Sequence, residues 1–181
     1  MGARTKKKEP GIGMLLVRAV AGTLIAGHGA QKLFGWFGGP GLPGFEGFAE
    51  SIGLKPAKLW AVLAGLSEFV GGILTILGFL NPFGPLAAIA AMVVATAKVH
   101  WGKPIWASEG GAELALTNAA TAAAVAIEGP GRYSLDRALG IRLPLWMRAL
   151  AFLGTAAALV GAIKPFPATQ KVGHVRTSTN E

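Results

Sequence analysis

Five apolar stretches, each near the length of a bilayer crossing, set the terms for this chain. They run from about Ile12 to Phe34, Leu59 to Leu80, Pro85 to Trp101, Ala112 to Ile127 and Leu145 to Ile163. A helix needs ~20 predominantly apolar residues to cross the hydrocarbon core, so each stretch predicts a transmembrane helix, the third and fourth being short. Only 14% of the 181 residues are charged, whereas a soluble domain carries roughly a quarter. Too little polar material remains to clothe a soluble surface. The sequence therefore predicts an all-α, polytopic membrane helix bundle. Arg18 interrupts the first stretch and no small-residue cleavage site follows, which makes it a retained helix rather than a secretory signal.

The connections refine this picture. Asn81-Pro82-Phe83-Gly84-Pro85 is a tight turn, so the second and third helices are expected to be antiparallel neighbours. The long loop from Gly35 to Lys58 holds Phe45, Phe48, Ala49 and Ile52 at i, i+3, i+4, i+7, opposite Glu46 and Glu50. That pattern predicts a short amphipathic helix near residues 44–53, lying in the membrane interface. Residues 1–11 form a basic cytoplasmic tail and residues 164–181 a polar C-terminal tail.

Charge placement gives orientation. With the N-terminus inside, the inner face receives Arg4, Lys6, Lys7, Lys8, Arg132, Arg137, Arg142 and Arg148, with Arg18 just within. The outer face receives Lys32, Lys55, Lys58, Lys98 and Lys103, together with the sparser basic residues of the C-terminal tail. The dense clusters favour a cytoplasmic N-terminus and an external C-terminus, in the plasma membrane of a prokaryote. The net charge of +8 is then a sum of topology signals, not a nucleic-acid footprint. Lipid is the expected surrounding. There is no cysteine, which excludes disulfides, all-cysteine zinc sites, cysteine-ligated iron–sulfur clusters and persulfide relays.

Ionisable residues within a membrane are costly, and their depth carries the functional information. His28, Gln31 and Lys32 share one face near the outer end of the first helix. Lys98, His100 and Trp101 close the third helix at the same level, and Glu113 opens the fourth. Thr117, Asn118 and Thr121 continue this polar character inward. Glu68 lies about 13 Å below the outer end of the second helix, where an isolated charge costs several kcal/mol. It must pair with a lysine or histidine, or stay protonated. Taken singly, His28 could merely bond another helix, Lys32 and Lys98 could snorkel, and the threonines could satisfy backbone carbonyls. Arg18 reads as a structural ion pair with Glu128 or Asp136. The convergence of His28, Gln31, Lys32, Glu68, His100 and Glu113 predicts a polar pocket near the outer leaflet. Trp36, Trp60, Trp101 and Trp106 ring its mouth, as an aromatic belt or as stacking surfaces for a flat ligand.

Several segments resemble the DoxX/DoxD family of membrane proteins. His28-Gly29-Ala30-Gln31-Lys32-Leu33-Phe34-Gly35-Trp36-Phe37-Gly38-Gly39, preceded by Leu16-Val17-Arg18, is similar to the family's first-helix block. Gly65-Leu66-Ser67-Glu68-Phe69-Val70-Gly71-Gly72 resembles the second. His100-Trp101, Gly110-Gly111-Ala112-Glu113 and Gly129-Pro130-Gly131-Arg132-Tyr133-Ser134-Leu135-Asp136 resemble the rest. The likeness covers about residues 12–140 and implies a four-helix core, which makes residues 141–163 an additional transmembrane helix. It also implies a link to quinone chemistry, since the DoxD branch is associated with thiosulfate:quinone oxidoreductase. The polar residues that match the family's pattern are Arg18, His28, Gln31, Lys32, Glu68, His100 and Glu113.

Three functions follow. The first is the membrane subunit of a quinone-linked oxidoreductase. His28, His100, Glu68 and Glu113 would do the proton chemistry, while Gln31, Lys32, Trp36, Trp101 and Asn118 would bind the ligand. The second is a non-catalytic accessory or assembly subunit anchoring a larger redox complex through small-residue helix faces and the extra helix. The third, a haem or metal centre at the two histidines and Glu113, lacks supporting motif spacing, and the nearby lysines would repel a cation.

Overall fold

The computed structural model describes residues 11–163. The basic tail as far as Pro10 and the C-terminal tail 164–181 lie outside the described residues. Helix α1 (Ile12–Phe34) ends at Gly35, whose φ of 72° makes a left-handed cap that a side chain would strain. After a 3-10 turn at Trp36–Gly38 come α2 (Gly41–Ser51) and α3 (Ala57–Leu77). Helix α3 is closed by Gly78, and the Phe79 N–H reaches back to the Leu74 carbonyl at 3.0 Å. Helix α4 (Phe83–Ala95) runs on through a π-helical turn at Thr96–His100. Helix α5 (Glu113–Glu128), the one-turn α6 (Leu135–Ala138) and α7 (Leu145–Ile163) complete an all-helical bundle without strands among the described residues.

The centre of the bundle is the antiparallel pair α1–α3, and glycine sets its spacing. A Cβ on Gly29 would stand 2.2 Å from the Phe69 backbone nitrogen, and one on Gly72 would stand 2.5 Å from that of Ala26. Backbones this close gain dispersion along their whole length, which is how helices associate where lipid offers no hydrophobic drive. The buried apolar residues are mostly small, among them Ala21, Ala30, Ala61, Ala88, Ala122 and Ala126, with Ile25, Leu86, Met92 and Val125 between them. Large ones such as Leu16, Val20, Leu66, Leu153 and Val160 point outward, as a lipid-solvated bundle requires.

Four helices are long and apolar enough to cross a membrane: Ile12–Phe34, Ala57–Leu77, Phe83–His100 and Leu145–Ile163. The other expected span, α5, has 16 residues, or about 24 Å at 1.5 Å per residue, short of a ~30 Å core. It nevertheless runs the length of the bundle. The Glu113 N–H bonds the Ile105 carbonyl beside the end of α4, and the loop after α5 meets α1 and the end of α3 at the opposite face. The expectation of five spanning helices is thus met by four, and α5 packs along the bundle against α4 and α1.

The amphipathic stretch folds as α2, but its apolar face is not simply laid in the interface. Ala49, Leu54 and Ala61 are buried in one cluster with Phe45, Ile52 and Trp60 around them. The cause is register. Gly29 meets Phe69 and Leu33 meets Gly65, so α1 ends level with about Gly65 and the first two turns of α3 project beyond it. Helix α2 covers that projection. Glu68, one turn below Gly65, thus lies about 5 Å beneath the end of α1, which is within reach of Lys32.

Candidate functional site

Lys32 and Glu68 form an ion pair across α1 and α3, with Lys32 Nζ donating to Glu68 Oε1. Glu68 is 1% exposed, and its second oxygen, Oε2, has no hydrogen-bond partner among the described residues. Lys32 Nζ also sits 5.1 Å from the centre of the Phe45 ring on α2, within cation–π range. Lys32 and Glu68 line a half-open cavity of about 350 Å³ between α2, α3, α4 and α7. Phe45, Phe48 and Trp60 roof it, Val94 and Val99 come from α4, and Leu159 with its alanine neighbours closes it from α7. Trp60 Nε1 is engaged by the Lys55 carbonyl at 3.2 Å, and Ser67 Oγ donates to the Ala64 carbonyl at 2.9 Å. The site is thus a largely apolar cavity with one ion pair at its wall, the second Glu68 oxygen being buried behind it.

Burying that pair has a definite energetic logic. Removing one member of a buried ion pair leaves an uncompensated charge and costs about 3–5 kcal/mol, whereas replacing both with neutral groups is often harmless. An unmatched buried acceptor costs about 1–3 kcal/mol. A cavity whose walls are mostly apolar, with an ion pair at its edge, has the usual make-up of a small-molecule pocket.

The remaining sequence-predicted residues lie elsewhere. His28 and Gln31 are together, His28 Nδ1 being 3.2 Å from Gln31 Oε1, but on the outward side of α1. They line a separate groove of about 460 Å³ with Trp36, Phe37 and Phe69. Gln31 Nε2 donates to the Phe37 carbonyl at 3.4 Å. Gly39 lies so tightly on Gln31 that a Cβ would come within 2.4 Å of the glutamine's own Cβ. Gln31 therefore orders the turn that follows α1. His100 and Glu113 organise the loop between α4 and α5. His100 Nδ1 is 2.7 Å from the Gly110 carbonyl, and Glu113 Oε2 accepts from the Ala107 N–H at 2.9 Å. Trp101 in the same loop is 82% exposed. Asn118 is partly buried on α5, where Thr117 and Thr121 each donate to the carbonyl four residues back, both at 2.8 Å. Of the predicted cluster, only Lys32 and Glu68 enter the chamber. Among the described residues no three His, Asp or Glu side chains gather as a metal-binding group.

Arg18, 1% exposed, binds mainly to the backbone. Its Nε donates to the Thr75 carbonyl at 3.0 Å, its Nη2 to Ile76 at 2.9 Å and to Tyr133 at 3.0 Å, and its Nη1 to Tyr133 at 3.1 Å and to Pro130. The Asp136 carboxylate is in electrostatic reach of it but is spent on the Leu80 and Asn81 N–H groups at 2.8 and 2.9 Å. Arg18 and Asp136 thus pin the loop after α5 to the start of α1 and the end of α3.

Sequence reasoning missed the apolar walls. The roof from α2 was foreshadowed by the Phe45/Phe48 spacing. The wall from α7 had only a faint signal, the small residues Ala151, Thr155, Ala158 and Ala162 at helical spacing. In comparison with known proteins, the DoxX family model matches residues 13–101. Neither curated proteins nor solved structures give a match.

Proposed function

Because residues 13–101 form a DoxX domain in a multi-pass membrane protein, we propose that the chain is the membrane subunit of a quinone-linked oxidoreductase. Its ligand site in this reading is the Lys32–Glu68 chamber. The observation that carries the reading is the Lys32–Glu68 ion pair at the wall of an apolar cavity large enough for a ring and the start of a tail. A bound quinone supplies a two-electron, two-proton acceptor. Glu68 holds the Lys32 ammonium at the cavity wall, where its positive charge favours negative charge that develops on an adjacent ligand oxygen. Phe45, Phe48 and Trp60 exclude water and offer faces for a flat ring. The electrons come from outside the chain's thiol chemistry, because the sequence has no cysteine. Lys103 and the lysines flanking α3, Lys55 and Lys58, would draw an anionic donor such as thiosulfate to the outer face.

A second reading, an accessory subunit anchoring a larger redox complex, is favoured by the outward groove on α1. Gly27 and Thr23 leave room there beside the polar His28–Gln31 pair, a surface suited to a partner's helix. Mass spectrometry of the gently extracted protein tests the first reading. A quinone at near one per chain is the expected result. A quinone-free protein carrying a stoichiometric partner supports the second.

A further inference from the structure

We infer that the chamber takes a lipid-soluble ligand carrying a hydrocarbon tail, which enters sideways from the bilayer through an apolar mouth between α2, α3 and α7. The inference rests on the reading of the chamber as the ligand site and adds the route in and the shape of ligand that fits. The cavity is half-open, and its exposed lining shows where. Among the described residues around it, three are exposed: Phe48 on α2, Leu63 on α3 and Ala158 on α7. Helix packing leaves a seam at the same place. Helix α2 packs on α3, α3 on α4 and α4 on α7, whereas among the described helices α7 packs along neither α2 nor α3. Depth then decides what the mouth faces. Leu63 is about 9 Å along α3 from Ala57, and Ala158 is about 8 Å from Ile163 at the end of α7. In helices long enough to cross a ~30 Å hydrocarbon core, an apolar rim at that depth meets acyl chains, and a charged solute would lose its hydration in passing it. Lys32 fixes the head of the ligand. Its ammonium has three N–H donors, of which Glu68 Oε1 takes one, so an acceptor oxygen can be held without breaking the ion pair. The cavity of about 350 Å³ holds a ring and the start of a tail, and the rest of the tail passes the mouth and stays in lipid.

The experiment uses the full chain in phospholipid nanodiscs and three tritium-labelled probes: methyl-benzoquinone, decyl-benzoquinone and decyl benzoate, whose ester offers a carbonyl without quinone chemistry. Affinities are expressed per membrane lipid, so that partitioning of the tail into the disc cancels. A mouth open to lipid predicts that decyl-benzoquinone binds within about threefold of methyl-benzoquinone. A tail trapped in a closed cavity would instead overpack it and weaken binding by about tenfold or more. Ala158→Phe narrows the mouth from α7, and should weaken the decyl probes by about tenfold and the methyl probe by about threefold or less. Equal loss for both tail lengths overturns the inference. So does saturable binding of the methyl probe alone to the wild type, a result that leaves the quinone reading standing. Saturable binding of decyl benzoate without either quinone supports the mouth and rejects the quinone reading. Absence of saturable binding by any probe, with phospholipid holding the cavity, overturns both. If Ala158→Phe does not fold, a diazirine placed midway along the tail of decyl-benzoquinone decides the matter. Label around Phe48, Leu63 and Ala158 is then expected, and label confined to the loop between α4 and α5 overturns the inference.

Discussion

Two buried charged residues, Arg18 and Glu68, receive opposite treatment. Arg18 spends all three guanidinium nitrogens on carbonyls of Thr75, Ile76, Pro130 and Tyr133, whereas Glu68 keeps one oxygen unmatched. The saturated arginine holds structure, while the glutamate is held by Lys32 through one oxygen alone. Arg18→Met should therefore orphan several buried acceptors, costing about 3 kcal/mol or more and lowering the detergent Tm by roughly 6–12 °C. Ligand affinity in the surviving folded protein should be unchanged. Lys32→Met leaves Glu68 uncompensated and should destabilise by about 3–5 kcal/mol, while the double variant Lys32→Met/Glu68→Gln should recover most of that loss. Thermal melts of the wild type, the single and the double variant check this, and a double variant no more stable than the single one would contradict it. The intramembrane carboxylate and the nearby lysine were legible from the sequence because charge at depth is rare. Their separation from His28 and His100 was not. Helical spacing places His28 and Lys32 on one broad face, yet α1 turns Lys32 toward α3 and leaves His28 and Gln31 to order the following turn. The Gly39–Gln31 contact that decides this spans a loop, and no periodicity reports it.

At the scale of elements, α1 and α3 are joined by glycine and the chamber is closed by helices that the family match does not wholly include. Gly29→Ala would drive a methyl into the Phe69 backbone, forcing the pair apart. It should cost more than the ~1 kcal/mol that helix propensity alone returns in alanine's favour, and should weaken ligand binding by separating Lys32 from Glu68. Binding isotherms and melts on the same sample check both effects. The roof and the α7 wall explain why apolar segments of ordinary appearance matter here. Helix α2 was visible as an amphipathic pattern, but where its apolar face would go depended on how far α3 outruns α1. That offset is set by backbone contacts at Gly29 and Gly65, which spacing cannot supply. Helix α7, lying outside residues 13–101, leans mainly on α4 and closes the cavity with Ala158, Leu159 and Ala162.

For the whole molecule, five apolar stretches specified the bundle because lipid forces every buried backbone group into a helix. The short α5 is the instructive element, since its 16 residues pack along the bundle with their flanking loops pinned by Glu113 and Arg18. The proposed orientation, with the N-terminus cytoplasmic, predicts asymmetric labelling of a chain that has no cysteine of its own. In intact cells Lys103→Cys should react with an impermeant maleimide, and Arg132→Cys should react only after permeabilisation. Equal labelling of both would reject it. The most direct test of the central claim is the quinone content of gently purified protein, compared between Lys32→Met/Glu68→Gln and His28→Ala/His100→Ala. A ligand held in the Lys32–Glu68 chamber predicts loss of bound quinone by about tenfold or more in the first variant and near-wild-type content in the second. Full content in the first, or loss confined to the second, would contradict it.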